Sequence, residues 1–330
     1  MSKEAEVRQK ALKPKMTFSD FWTKYSTLII MVIMLIVFGA LEPKAFVSTN
    51  NLIKIIEQSS ITILLACGEF FGILLAGIDL SVGSVMALSG VVSAKLLGAG
   101  WGVVPTLLVG VIGFGALVGA INGGLINITG LHPFIITLGT QAIFRGLTVI
   151  LAQSRPVPAV AFARTFGGKL FGVIPTPIFI ALLTAAFLVF FTTKSKAGRN
   201  LYAIGGNKKA AWFAGIHVKK HFILAFVISG ICASLAGMVN ISRLASAEPN
   251  AGTGYETFAI ASAIIGGTSF FGGIGKIPRV VLGAIIIGII NNGINMVGLS
   301  AYYQQIAMGA LIIIAVTLDR FFGTSKKSEV

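Results

Sequence analysis

A set of polar side chains lies inside long apolar runs: Glu69, Asn122, Asn127, Thr137, Thr140, Gln141, Arg145, Asn240, Asn291, Asn292 and Asn295. Polar groups at membrane depth are costly, so they tend to mark a path or an inter-helix contact. Most of these are amides and hydroxyls, which offer both donors and acceptors. A lumen lined by them suits a neutral, polyhydroxylated solute. It suits a proton or cation relay less well, because Glu69 is the main carboxylate among them. The candidates for such a path are Asn122, Asn127, Thr137, Gln141, Asn291, Asn292 and Asn295. Each amide could equally make a hydrogen bond between helices. Arg145 reads as a partner for a helix-end carbonyl or a carboxylate.

A second pattern is Ala76-Gly-Ile-Asp-Leu-Ser-Val-Gly83, which breaks an apolar run. Gly77 and Gly83 permit local unwinding. Asp79 and Ser81 can cap the following helix, since short side-chain oxygens satisfy its free N–H groups; a direct ligand role is the alternative.

The elements that carry these residues are apolar helices. The chain has 330 residues, of which 55% are hydrophobic and 11% charged. A soluble domain of ordinary composition carries about 25% charged residues. The apolar excess falls in runs, each near the ~20 residues that cross a bilayer core. The runs are 26–41, 52–76, 80–97, 103–128, 134–152, 176–193, 222–243, 256–271, 278–297 and 301–319. The fold class expected is therefore an all-α membrane protein with about ten transmembrane helices. Trp22 and Tyr25 stand at the entry of the first run, and Leu41-Glu-Pro43 ends it without a small-residue cleavage site, so it reads as a retained helix.

The net charge of +15 comes from tails and loops. Most of the 26 basic residues lie in the N-terminal tail, the 194–221 loop, Lys276, Arg279 and the C-terminal tail. The positive-inside rule then puts both termini in the cytoplasm, with 1–25 and 321–330 as tails and 26–320 as the membrane domain. Gly119-Ala-Ile-Asn-Gly-Gly-Leu-Ile126 resembles Gly288-Ile-Ile-Asn-Asn-Gly-Ile-Asn295. These runs cross in opposite directions, as an inverted repeat of the transporter kind would require. The turn-rich segment from Arg243 to Glu256 reads as an outward-facing loop, open to a docking partner.

The 194–221 loop carries a short helix. Asn207 caps it, Ala210, Ala211, Phe213 and Ala214 lie within it, and Gly215 ends it. Exposed Trp212 and Phe213 call for a partner surface or for lipid headgroups. No G-x-x-x-x-G-K-[S/T] loop occurs, so energy from a nucleotide must enter through another chain. No nucleophile stands with a base, and no metal-ligand spacing is present; an enzyme is not expected. Cys67 and Cys232 read as small buried side chains.

The chain resembles the permease subunits of bacterial ATP-binding-cassette (ABC) importers for monosaccharides, of the ribose type. The stretches that carry the likeness are 77–84, 198–207, 243–249, 264–273 with its double phenylalanine, 291–295 and Tyr302-Tyr-Gln304. The resemblance implies a multi-pass protein of the inner cell membrane that translocates a monosaccharide such as ribose or allose. It implies a homodimer, two ABC ATPase domains beneath that bind ATP and Mg, and an extracytoplasmic sugar-binding protein; lipid is the other neighbour, and no nucleic acid is expected. It also implies that 194–221 couples to the ATPase, through Arg199, Gly205, Asn207, Ala210, Ala211 and Gly215. The alternative is an ion-coupled secondary sugar transporter.

Overall fold

The computed structural model describes residues 18–172 and 174–323. The outer parts of both expected tails, 1–17 and 324–330, lie outside the described residues.

Helix α1 is Phe18–Leu41, α2 is Thr49–Leu74 and α3 is Val82–Gly98. Helix α4 runs over Val103–Thr129 and α5 over Pro133–Ala152. A short α6, Val160–Phe166, precedes α7, Thr176–Lys194. Two small helices follow, α8 (Lys196–Gly206) and α9 (Lys208–Phe213). Then come α10 (Val218–Leu244), α11 (Tyr255–Ile265), α12 (Ile277–Met296) and α13 (Ala301–Gly323). Among the described residues six helices (α2, α4, α5, α7, α10 and α12) are long and apolar enough to cross a membrane, and shorter apolar helices lie in α1, α3, α11 and α13. The protein is thus an almost wholly helical membrane bundle. Two-residue ladders are its only described strands: β1 (Val157–Pro158) pairs with β4 (Ser246–Ala247), and β2 (Lys169–Leu170) with β3 (Ile174–Pro175).

Three of the differences from the sequence reading bear on the site. Helix α1 begins at Phe18, not near 26. Helix α11 stops at Ile265 rather than 271, because Gly267 turns the backbone to φ +81°. Residues 196–206 form α8, which a glycine-bearing basic stretch did not announce; Ser195 caps it by accepting a hydrogen bond from the Gly198 N–H at 2.8 Å.

Helices α2 and α10 form the centre. Helix α10 packs on α2, α3 and α4, and α2 also packs on α11 and α12. Absent side chains permit this closeness: a Cβ on Gly115 of α4 or on Gly230 of α10 would collide with the other's carbonyl. The middle of α4, Leu107–Gly113, is wound as a π-helix, which brings Gly110 against Ser93 of α3. Such wide turns commonly shift a helix face at functional sites.

Alternate connections gather at opposite ends of the bundle. At one end Leu75, Gly130, His132, Lys208 and Trp212 line a common cleft, and the Gly273 N–H donates to the Leu74 carbonyl at 2.9 Å. Thr27 of α1 reaches the Ile265 carbonyl there, and Asp319 of α13 binds the turn after α11. At the other end β1 joins β4, and the Ala159 N–H donates to the Ala245 carbonyl at 2.8 Å.

The segment between β4 and α11 corrects the sequence reading of a plain outward loop. It dives between the helices. Arg145 of α5 donates to the carbonyls of Pro249 at 2.9 Å and Ala251 at 2.8 Å. Gly252 touches Gly83 in the first turn of α3. Glu256 meets Gln141, eight residues into α5, or about 12 Å along its axis from the opposite end. The bare backbone of Gly83 leaves room for this re-entry, and Arg145 satisfies carbonyls that would otherwise be buried unpaired.

Candidate functional site

The break after α2 builds the main interior polar network. Gly77 folds back so that its N–H donates to the Gly72 carbonyl at 2.9 Å. A Cβ there would press on Pro133 at 2.8 Å, which ties the turn to the start of α5. Thr137 of α5 donates to the Ile78 carbonyl at 3.0 Å. Glu69, fully buried one turn earlier, accepts from the Asp79 N–H at 3.0 Å. Asp79 in turn accepts from the Ser81 N–H at 3.1 Å, from the Ser81 hydroxyl, and from the Ser229 hydroxyl of α10 at 2.8 Å. Asn122 of α4 donates to Ser81 at 2.9 Å.

This corrects the expected capping pattern. Ser81 stands at the N-cap of α3, but its side chain makes no cap bond; it turns back to Asp79 instead. Asp79 closes a local turn over Ser81, and its carbonyl accepts from the Val82 N–H at 3.5 Å. The motif therefore ties α2, α3, α4, α5 and α10 together around one carboxylate. Buried Glu69 Oε2, Asn122 Oδ1 and Glu256 Oε2 have no hydrogen-bond partner among the described atoms. They border the place where the break and the re-entrant segment meet.

The other path candidates are dispersed. Asn292 of α12 exchanges two amide hydrogen bonds with Asn51 of α2, at 2.9 and 3.0 Å, and so faces a neighbouring helix. Asn295 accepts from Gln304 of α13 at 2.8 Å. Asn291 points a buried Oδ1 with no partner among the described atoms. Asn127 donates to the Lys219 carbonyl at 2.7 Å near the α9 end of the bundle. Gln141 donates to Glu256 at 3.2 Å. Asn122, Thr137, Gln141 and the 77–83 motif thus share one region, whereas Asn127, Asn291, Asn292 and Asn295 do not join it. Among the described residues no group of three or more His, Cys, Asp and Glu side chains is placed to hold a metal ion.

The coupling candidates form a face at the end of the bundle. Asn207 caps α9 as expected, accepting from the Ala210 N–H at 2.9 Å. Gly215 ends it at φ +80°, where nothing crowds the missing side chain. Ala211 is buried and Ala210 exposed. Trp212 and Phe213 are 64% and 79% exposed. Arg199 is exposed and donates to the Lys194 carbonyl at 3.2 Å. Gly205 packs so tightly that a Cβ would collide with the Leu74 carbonyl and the Gly273 N–H. Beside it the Tyr202 hydroxyl donates to the Gly275 carbonyl at 2.9 Å, and burial pushes that phenol above its ordinary range.

Sequence reasoning missed four partners of these sites: Ser229, Asn51, Glu256 and Asp319. Ser229 sits in a run whose periodicity carries no polar signal, and Asn51 lies in the polar stretch just before the second run. Glu256 lay in what read as a surface loop, and Asp319 near the end of the last apolar run.

A family model described as branched-chain amino acid transport system, permease component, matches residues 51–316. The D-allose transport system permease protein of Escherichia coli K12 is 53% identical over 310 residues, covering 93% of this chain and 95% of that protein. The ribose import permease protein of Haemophilus influenzae is 37% identical over 315 residues, covering 93% and 96%. The galactose/methyl galactoside import permease protein of Salmonella typhimurium is 33% identical over 325 residues, covering 93% and 97%. No solved structure gives a significant match.

Proposed function

The chain belongs to the family of branched-chain amino acid transport permease components, and from that membership we propose that it is the membrane subunit of an ABC importer that moves a monosaccharide into the cell. D-allose is the first candidate sugar and ribose the second. The observation that carries this is 53% identity, over nearly the whole of both chains, to a permease named for D-allose transport. It is a transport subunit and not an enzyme. The absence of a phosphate-binding loop supports a separate ATPase that holds ATP and Mg. In this reading a second copy of the chain pairs with the first, and a sugar-binding protein delivers the solute from outside the inner membrane.

The basic α8–α9 face supports a cytoplasmic position for that end, with both termini beside it and ten crossings between them. The packing supports an inverted repeat. Helix α4 of the first half packs on α10 of the second, as α12 packs on α2; α3 packs on α10 as α11 packs on α2. Gly119 and Gly288, aligned in the two halves, both press on those central helices, at Phe226 and Ser59. Gly83 and Gly252 share the same spacing and touch each other, as residues beside a two-fold axis do.

The test is uptake of labelled D-allose and D-ribose by cells that make the chain, its ATPase and its binding protein. Uptake should need ATP and should vanish in Gly215→Asp, while the variant still inserts. An ionophore-sensitive uptake that survives ATP depletion would overturn the reading in favour of ion coupling.

A further inference from the structure

We propose that the turn 269–275, between α11 and α12, is a second docking point for the ATPase, made by Phe271 and Ile274 beside α9. This rests on the reading of α9 as the coupling helix, and goes beyond it by adding a contact outside the 194–221 loop.

The turn is anchored on three sides. Gly273 donates its N–H to the Leu74 carbonyl, and a Cβ on it would stand 2.7 Å from the backbone of Gly206, the residue before the α9 cap. The Tyr202 hydroxyl holds the Gly275 carbonyl at 2.9 Å. Asp319 Oδ2 of α13 accepts from the Ser269 hydroxyl at 2.9 Å and from the Phe270 N–H at 3.1 Å. The turn is closed on itself, with the Ser269 N–H donating to the Ile274 carbonyl at 3.0 Å. Gly272 and Gly273 take φ of +85° and +75°, which side chains rarely adopt.

This fixed backbone holds two large apolar side chains outward. Phe271 is 50% exposed and Ile274 is 62% exposed; Trp212 and Phe213 of α9, which starts two residues after Gly206, are more open still. Exposed apolar side chains on two neighbouring elements at one end of a bundle, this turn and α9, are what a docking surface presents. The surrounding charge says what covers it. Helices α8 and α9 and residues 266–276 contain no carboxylate; Asp319, bonded to the turn, is half-buried and taken up by Ser269 and Phe270, while Lys208, Lys209 and Lys276 are exposed. The complementary partner is a protein with apolar notches and an acidic rim. A lipid surface accepts a helix lying flat on it; here the side chains project from two separate elements, the turn and α9, joined where Gly273 meets Gly206 just before α9. That contact also makes the patch continuous with α9, so one subunit can cover both.

The assembled complex of permease, ATPase and binding protein tests this by photo-cross-linking. p-Benzoylphenylalanine is placed in turn at 213, 271 and 274, and at the control position 171 on the opposite end. The expected result is cross-links to the ATPase from 213, 271 and 274, and none from 171. A second measurement uses the double substitution Phe271→Ser and Ile274→Ser, which should lower ATPase co-purification about tenfold, as loss of two interface anchors does. Its thermal midpoint as isolated permease should stay near that of the parent. Cross-links from 213 without any from 271 or 274 overturn the inference and leave α9 coupling intact. Lipid adducts alone at 271 and 274 overturn it as well. No ATPase cross-link from any of the three removes the coupling reading and this inference with it.

Discussion

Gly83 and Gly252 touch through bare backbone: a Cβ on either would collide with the carbonyl oxygen of the other. Gly252 also holds φ at +72°. The contact joins the first turn of α3 to the segment that re-enters the bundle before α11.

Alanine at either glycine should therefore be poorly tolerated. Gly83→Ala is expected to destabilise the protein by about 1–3 kcal/mol, the usual range for overpacking, and to abolish uptake. Gly252→Ala should do at least as much, since backbone strain adds to the collision. Thermal unfolding in detergent and an uptake assay check both. Gly124→Ala serves as the control, because nothing lies within 4 Å of a Cβ there.

The paired amides of Asn51 and Asn292 allow a double-mutant cycle. Asn51→Leu and Asn292→Leu should each destabilise by leaving a buried amide alone. The double variant should be more stable than the sum of the two losses, by about 0.6–2 kcal/mol, as for polar contacts inside membranes. Additive losses would mean that the pair contributes nothing specific.

Neighbouring glycines at the end of α8 should behave differently. A Cβ on Gly205 collides with Leu74 and Gly273, whereas one on Gly206 meets nothing within 4 Å. Gly205→Ala should reduce uptake at least as much as any other substitution in α8. Gly206→Ala should transport normally and gain slightly in helix propensity. Equal effects at the two positions would argue against a tight seam between α8 and the 266–276 turn.

Tyr202 offers a test by pH. Its phenol is raised from the ordinary value of 10.0 by burial, so the folded state holds the proton more firmly than the unfolded state. The contribution is complete below about pH 10 and is lost as pH rises past the folded value. Tyr202→Phe should lower stability by about 1 kcal/mol at neutral pH, through loss of one hydrogen bond. It should also flatten the fall of the thermal midpoint above about pH 10. An unchanged alkaline limb would count against a buried, bonded phenol.

The sequence made the bundle legible because lipid imposes length and polarity on each helix. The same was true of α9: Asn207 caps its start with a side-chain oxygen, and Gly215, with no side chain, takes the positive φ that ends it. Arg145 was legible as a carbonyl partner. The interior joins were not. Ser229 looks like any small residue in an apolar run, and only the fold brings it to Asp79. The 245–254 segment was misread because turn-rich, polar sequence ordinarily lies in water. Its carbonyls are served inside by a helix-borne guanidinium, an arrangement with no local signature.

Helix α11 has eleven residues and so rises about 16 Å, roughly half of the ~30 Å hydrocarbon slab. Helices α2, α12 and α13 pack around it. The remaining depth near Gly252 is filled by non-helical chain, wedged against Gly83 on one side and held by the Arg145 guanidinium on the other.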